Sequence, residues 1–266
     1  MAPLNRHCKG PFPSLAAAFV EGCSPQVITV IGSGGKTSLI WLLAQYGRGK
    51  KTLVTTTTRM FFPPKEAGLY DYLLDASGLA TDSFQPQMGI SLAGVQEGVS
   101  GKYRSLPPAL LASLVPSFDL VLIEGDGSRM LPLKAWAPYE PVIPASTTLT
   151  IGILPLWPVG LPVSPDIIHR LPLFSALSGA QSGEPLSLQH LVPVITGQRE
   201  NRPWGKGLFS EARGKRILFF NQIEDPRGLE QAEQLLSLLP AAFLGELKGI
   251  IAGSVQQNRI SLLWET

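Results

Sequence analysis

Seven consecutive residues, Gly32-Ser33-Gly34-Gly35-Lys36-Thr37-Ser38, combine three glycines with a lysine and neighbouring hydroxyls. Glycine admits positive φ and lets an anion approach the main chain closely. Successive N–H groups at the start of a helix favour phosphate. In such a loop Lys36 meets β- and γ-phosphates as a mobile point charge, and the Thr37 hydroxyl ligates Mg²⁺. The full pattern GxxxxGK[ST] asks for glycine at position 30, where this chain has Val30. The loop is therefore a shortened variant, GxGGKT. An ordinary glycine-rich turn with a solvated lysine is the competing reading; a strand before the loop and a helix after it favour phosphate.

The second constellation is FDLVLIEGDG at 118–127. An apolar strand that ends in acids has the form of a Walker-B segment. Glu124 and Asp126 are two apart, so an extended backbone turns both to one side, at the strand end where open α/β sheets bind ligands. One would hold Mg²⁺ and the other would orient the attacking water or substrate. Spacing does not rank them, and a solvated Asp-Gly turn is the competing reading.

Four further groups carry possible chemistry. Thr55 to Thr58 and Arg59 end a strand. Their hydroxyls suit Mg²⁺ or γ-phosphate and the guanidinium suits transition-state charge, although threonine is also a common strand residue. In the loop after the acids, Arg129 and Lys134 are cations for a second anionic group, with Trp136, Tyr139 and Glu140 as pocket formers. His169 with Arg170 follows a predicted short helix and faces nucleotide or substrate in one reading, the surface in the other. Asn221-Gln222-Ile223-Glu224-Asp225 echoes the guanine-reading NKxD motif, with Gln222 for Lys and Glu224 for Asp; an ordinary strand-to-helix turn is the competing reading.

These groups need elements to position them. Residues 26–31 (QVITVI) read as a strand buried on both faces, 36–46 as a helix and 51–57 as the next strand, which is a βαβ order and implies a parallel sheet. Further strands are predicted at 88–95, 118–124, 147–154, 216–221 and 249–255. Helices are predicted from 107 to about 115, at 166–177, 186–191 and 229–239. The expected fold is α/β: a P-loop NTPase-like, mostly parallel sheet flanked by helices. One domain covers 1–266, with a proline-rich irregular insertion or lid at 155–215.

The bulk composition agrees. The chain has 266 residues, 44% hydrophobic and 16% charged, with a formal net charge of +2, which argues against nucleic acid as a partner. Its two cysteines, Cys8 and Cys23, lack metal-ligand spacing and read as reduced thiols. Near the N-terminus, Phe12, Leu15 and Phe19 have helical spacing, which reads as a mature helix and not a signal segment. No apolar run is long enough for a bilayer; no membrane partner is expected, and the expected location is cytoplasmic.

Taken together, VIGSGGKTS, TLVTTTTRMF, IEGDGSRMLPLKAWAPYEPVIP, His169-Arg170, FFNQIED and IIAGSV resemble the YqeC-type selenium-dependent hydroxylase accessory proteins. The resemblance implies an NTP-dependent factor for the maturation of selenium-dependent molybdenum hydroxylases, with the hydroxylase or its cofactor as partner. The loop is also similar to the GTNGKT loop of Mur-type ligases. Three functions follow: a Mg²⁺-dependent ATP or GTP hydrolase in maturation, an ATP-dependent ligase or kinase acting on a small acid, or a nucleotide-gated binding protein without turnover.

Overall fold

The structure is a computed structural model that describes residues 9–10, 25–77, 85–98, 101–198 and 206–265. The predicted N-terminal helix and both cysteines lie outside these residues. In chain order the strands and α-helices are β1 (Lys9–Gly10), β2 (Gln26–Gly32), α1 (Lys36–Tyr46), β3 (Lys51–Thr56), β4 (Arg59–Phe61), β5 (Tyr72–Asp75), β6 (Gly89–Glu97) and β7 (Lys102–Arg104). Then come α2 (Pro108–Leu114), β8 (Leu120–Glu124), β9 (Leu133–Lys134), β10 (Leu149–Pro155), β11 (Ile168–His169), α3 (Leu171–Ser178) and α4 (Leu188–Thr196). The chain ends with β12 (Lys215–Asn221), α5 (Pro226–Leu238), α6 (Ala241–Leu244), β13 (Gly249–Ser254) and β14 (Arg259–Glu265).

One sheet runs in the order β1-β14-β13-β12-β10-β2-β8-β3-β6-β7-β4, with β5 also paired to β6. Its central strands are parallel and its margins, β14 with β1 and β7 with β4, are antiparallel. β2 and β3 are parallel as the βαβ reading requires, but β8 lies between them. The sheet grows away from β2 in both directions, through β8, β3 and β6 on one side and through β10, β12 and β13 on the other. This is a switch point, where such sheets open a crevice at their carboxyl ends. Pairing sets Val30 beside Glu124 and Gly32 beside Ile153, so the loop and the acids share that end.

Continuous apolar strands arise because both faces are covered. Ile28, Val30, Leu122 and Phe219 pack with Leu39 and Ile40 of α1. Ile31, Leu154 and Phe220 face the other way, onto Phe174, Leu191 and Leu235 of α3, α4 and α5. Val27, Leu53 and Val121 pack near Leu111 and Leu114 of α2.

Several boundaries differ from expectation for local reasons. The helix expected at 166–177 starts at Leu171, because Ile168 and His169 pair with Leu133 and Lys134 as a second small sheet. His169 thus precedes a helix and does not follow one. The helix expected at 186–191 runs from Leu188 to Thr196 behind a capping box of Ser187 and His190. The chain does not close on β13: β14 returns antiparallel beside it. Residues 155–215 contribute Val163, Phe174, Leu191 and Phe209 to the core. No described helix is long and apolar enough to cross a membrane.

Phe219 and Phe220 are fully buried on opposite faces of β12. Each truncation to alanine should therefore destabilise the fold by about 3–5 kcal/mol. Urea denaturation checks this, and a near-neutral result for either residue would mean that its face is not covered.

Candidate functional site

The loop's shape is fixed by main-chain crowding. β2 ends at Gly32 with φ 100°, and a Cβ there would lie 2.2 Å from the Ile153 carbonyl oxygen. Gly35 has φ 118°, and a Cβ there would meet the Asn221 amide nitrogen at 2.4 Å. The Ser33 N–H donates to the Ile153 carbonyl at 3.0 Å, tying the loop to β10. α1 then starts at Lys36 with no side-chain cap and no acid in its first turn. Its first N–H groups are left to an outside acceptor, which is the geometry of an anion site.

The two acids differ in kind. Asp126 is completely buried. It accepts from the Gly32 N–H at 3.0 and 3.1 Å, from Lys134 Nζ at 3.0 Å and from Trp136 Nε1 at 2.6 Å. Lys36 Nζ lies 3.4 Å away and donates to the Gly32 carbonyl at 2.7 Å. Burial alone would push the Asp126 carboxyl up, but Lys36, Lys134 and the Gly32 amide together hold it below the ordinary aspartate range. Glu124 instead accepts one bond through Oε2, from the Thr37 hydroxyl at 2.8 Å. Burial raises its carboxyl above the usual range, against the opposing pull of Lys36 and Thr37.

From Asp126 an ionic chain runs outward. Lys134 Nζ bridges Asp126 to Glu140 at 3.2 Å and also donates to the Gly127 carbonyl. Glu140 takes a two-pronged bond from Arg170, at 2.5 and 3.1 Å. Lys134 was expected to offer charge to a second anion; it is fully buried and committed within the protein. Arg129 stays exposed, with φ 52°. Half-buried His169 is depressed by burial and then by Arg170, Lys134 and Arg129, so the imidazole is biased toward its neutral form.

Other expected residues fall elsewhere. Arg59 is 74% exposed and pairs with Glu97, and is not gathered at the loop. The hydroxyls of Thr55, Thr56 and Thr57 donate to the carbonyls of Ala93, Glu124 and Val142. They brace the strand ends. Asn221 reaches the loop: its amide donates to the Gly34 carbonyl at 2.8 Å and accepts from the Val255 N–H at 3.0 Å. Glu224 lines a groove of about 950 Å³ that opens from Gly35 and Ser38. Trp41, Trp157 and Ser254 line the same groove and were missed in the sequence. The run 35, 38, 41, 42 and 45 on one helix face is the signal that marks its wall.

Among the described residues no three His, Cys, Asp or Glu side chains gather into a metal cage. Mg²⁺ in a phosphate site keeps most of its waters and needs only one or two protein oxygens. The Thr37–Glu124 pair fits that requirement.

The acids should respond oppositely to titration. Asp126 has a lowered native pKa, so its contribution is present above the unfolded-state value and is lost as pH falls through the native value. Asp126→Ala removes the carboxylate shared by two buried lysines and should cost about 3–5 kcal/mol at neutral pH. Glu124 has a raised native pKa, so its ionisation opposes folding as pH rises through that value. Glu124→Gln should leave stability unchanged or higher at pH 8. Urea titrations of both variants at pH 5 and pH 8 check the pair, and equal losses would contradict the division of roles.

A family profile described as YqeC protein matches residues 28–172. That span takes in the phosphate loop, both acids, the following loop and the His169-Arg170 pair, and stops short of Asn221. The chain is also 31% identical over 236 residues to the uncharacterized protein YqeC of Escherichia coli (strain K12), covering 84% of this chain and 88% of the relative. No solved structure matches it. With the profile covering more than half its length and the relative most of it, the chain belongs to the YqeC family.

Proposed function

We propose that this protein is a Mg²⁺-dependent nucleoside triphosphate hydrolase, using ATP or GTP, that serves as an accessory factor in the maturation of selenium-dependent molybdenum hydroxylases. The observation that carries the reading is the convergence of Lys36, Thr37 and Glu124 at the uncapped start of α1. The loop amides would cradle the phosphates. Lys36 would exchange the Gly32 carbonyl for β- and γ-oxygens. Thr37 and Glu124 would hold Mg²⁺, which when bound neutralises charge on the phosphate oxygens. Asp126, saturated by its partners, holds Lys36 and the loop in place. Hydrogen-bonded to Thr37 at 2.8 Å, Glu124 would meet the metal through one of its waters and orient the attacking one. The client role draws on the family resemblance and on exposed Met130, Tyr139 and Val142 around the loop that follows the acids.

Calorimetric titration with ATP, GTP and non-hydrolysable analogues plus Mg²⁺ tests the reading. Lys36→Ala should weaken binding by about 1.5–3 kcal/mol, about ten- to hundredfold. Unchanged affinity would remove Lys36 from the mechanism. Glu124→Gln should retain binding while hydrolysis falls by about 10²-fold or more. A purified selenium-dependent hydroxylase added to the wild-type protein should raise its turnover; no response would detach the client role from the site.

A further inference from the structure

Resting on the phosphate-loop reading, we infer that the groove beside the loop takes the nucleoside and that Glu224 makes the site select guanine. The groove is continuous with the loop through Gly35 and Ser38, so a nucleotide whose phosphates lie at α1 has its base and ribose directed there. Its volume of about 950 Å³ lies within the range for small-ligand sites. Trp41 from α1 and Trp157 from the segment after β10 supply apolar ring faces.

The polar groups of the groove narrow the ligand. Asn221 has both ends of its amide engaged, with Gly34 and Val255, and acts as a brace of the loop and not as a reader of the base. Gln222 accepts from the Trp157 indole at 2.8 Å. Asp225 caps α5 by accepting from the Gly228 N–H at 2.8 Å. Glu224 differs: its exposed carboxylate is oriented through one oxygen by the Ser254 hydroxyl at 3.1 Å. Ser254 is itself fixed by the Gln257 N–H at 3.2 Å. A carboxylate only accepts. Guanine presents two adjacent donors, N1–H and the 2-amino group, which one carboxylate takes together. Adenine presents its N1 lone pair beside the 6-amino group, and that lone pair opposes a carboxylate. A polar group placed in this way discriminates by leaving the wrong partner unpaired.

The test measures binding of guanosine, adenosine and xanthosine triphosphates with Mg²⁺ to the full chain, for wild type, Glu224→Gln, Ser254→Ala and Lys36→Ala. Wild type should favour guanosine by about tenfold or more. Glu224→Gln should lose that preference and gain affinity for xanthosine, whose 2-oxo group accepts from the new amide. A merely structural role would not produce that gain. Ser254→Ala should reduce the guanosine preference in the same direction, to a smaller extent. Lys36→Ala should weaken all three alike. Lys36-dependent binding with no base preference, or with an adenosine preference, would overturn the guanine assignment and leave the phosphate loop standing. Absence of triphosphate binding in every protein would overturn both.

Discussion

The site depends on one buried carboxylate. Asp126 sits without solvent contact among two lysines, a loop amide and an indole N–H. Isolating that charge from water costs several kcal/mol unless it is paired and hydrogen-bonded. The surrounding donors satisfy it and are in turn held by it. Each donor helps to hold the carboxylate that holds the others, so the group behaves as a unit.

That unit joins two parts of the chain. Through Gly32 and Lys36 it touches the loop that opens α1, and through Lys134, Glu140 and Arg170 it reaches the start of α3. The reading of nucleotide binding gives this connection a use. If phosphate drew Lys36 away, Asp126 would retain Lys134, Trp136 and the Gly32 amide but lose one cation. The electrostatic balance of the loop carrying exposed Met130 and Tyr139 would then depend on a ligand at α1. A client that contacts this surface would meet a loop whose charge environment reports on the nucleotide site.

Much of the frame was legible because burial on both faces leaves unbroken apolar runs. β2, α1 and β8 fall where β-branched patterning and helical spacing put them. Short marginal strands such as β4, β5 and β7 carry too few residues for a period, and β14 is set by its antiparallel pairing with β13 across the turn at 255–258. Within the site, a spacing of two put Glu124 and Asp126 together but did not distinguish them. The distinction comes from Lys134 and Trp136, which arrive eight and ten residues later and fold back onto Asp126 alone. Lys134 read as an open cation because its burial depends on tertiary contacts. Asn221 was found through a motif, and its amide is committed to the Gly34 carbonyl and the Val255 N–H at the wall of the groove.

The Asn221 bridge also bears on how the protein is made. Asn221 follows Gly34 by 187 residues, and Val255 follows Asn221 by 34. Domains mature progressively as synthesis proceeds from the N-terminus. Here the β2–α1 unit is translated long before its brace exists. A nascent polypeptide halted ahead of Asn221 would carry every residue of the glycine-rich turn yet lack the amide that holds it, so the turn gains its brace only after residue 221 has been added.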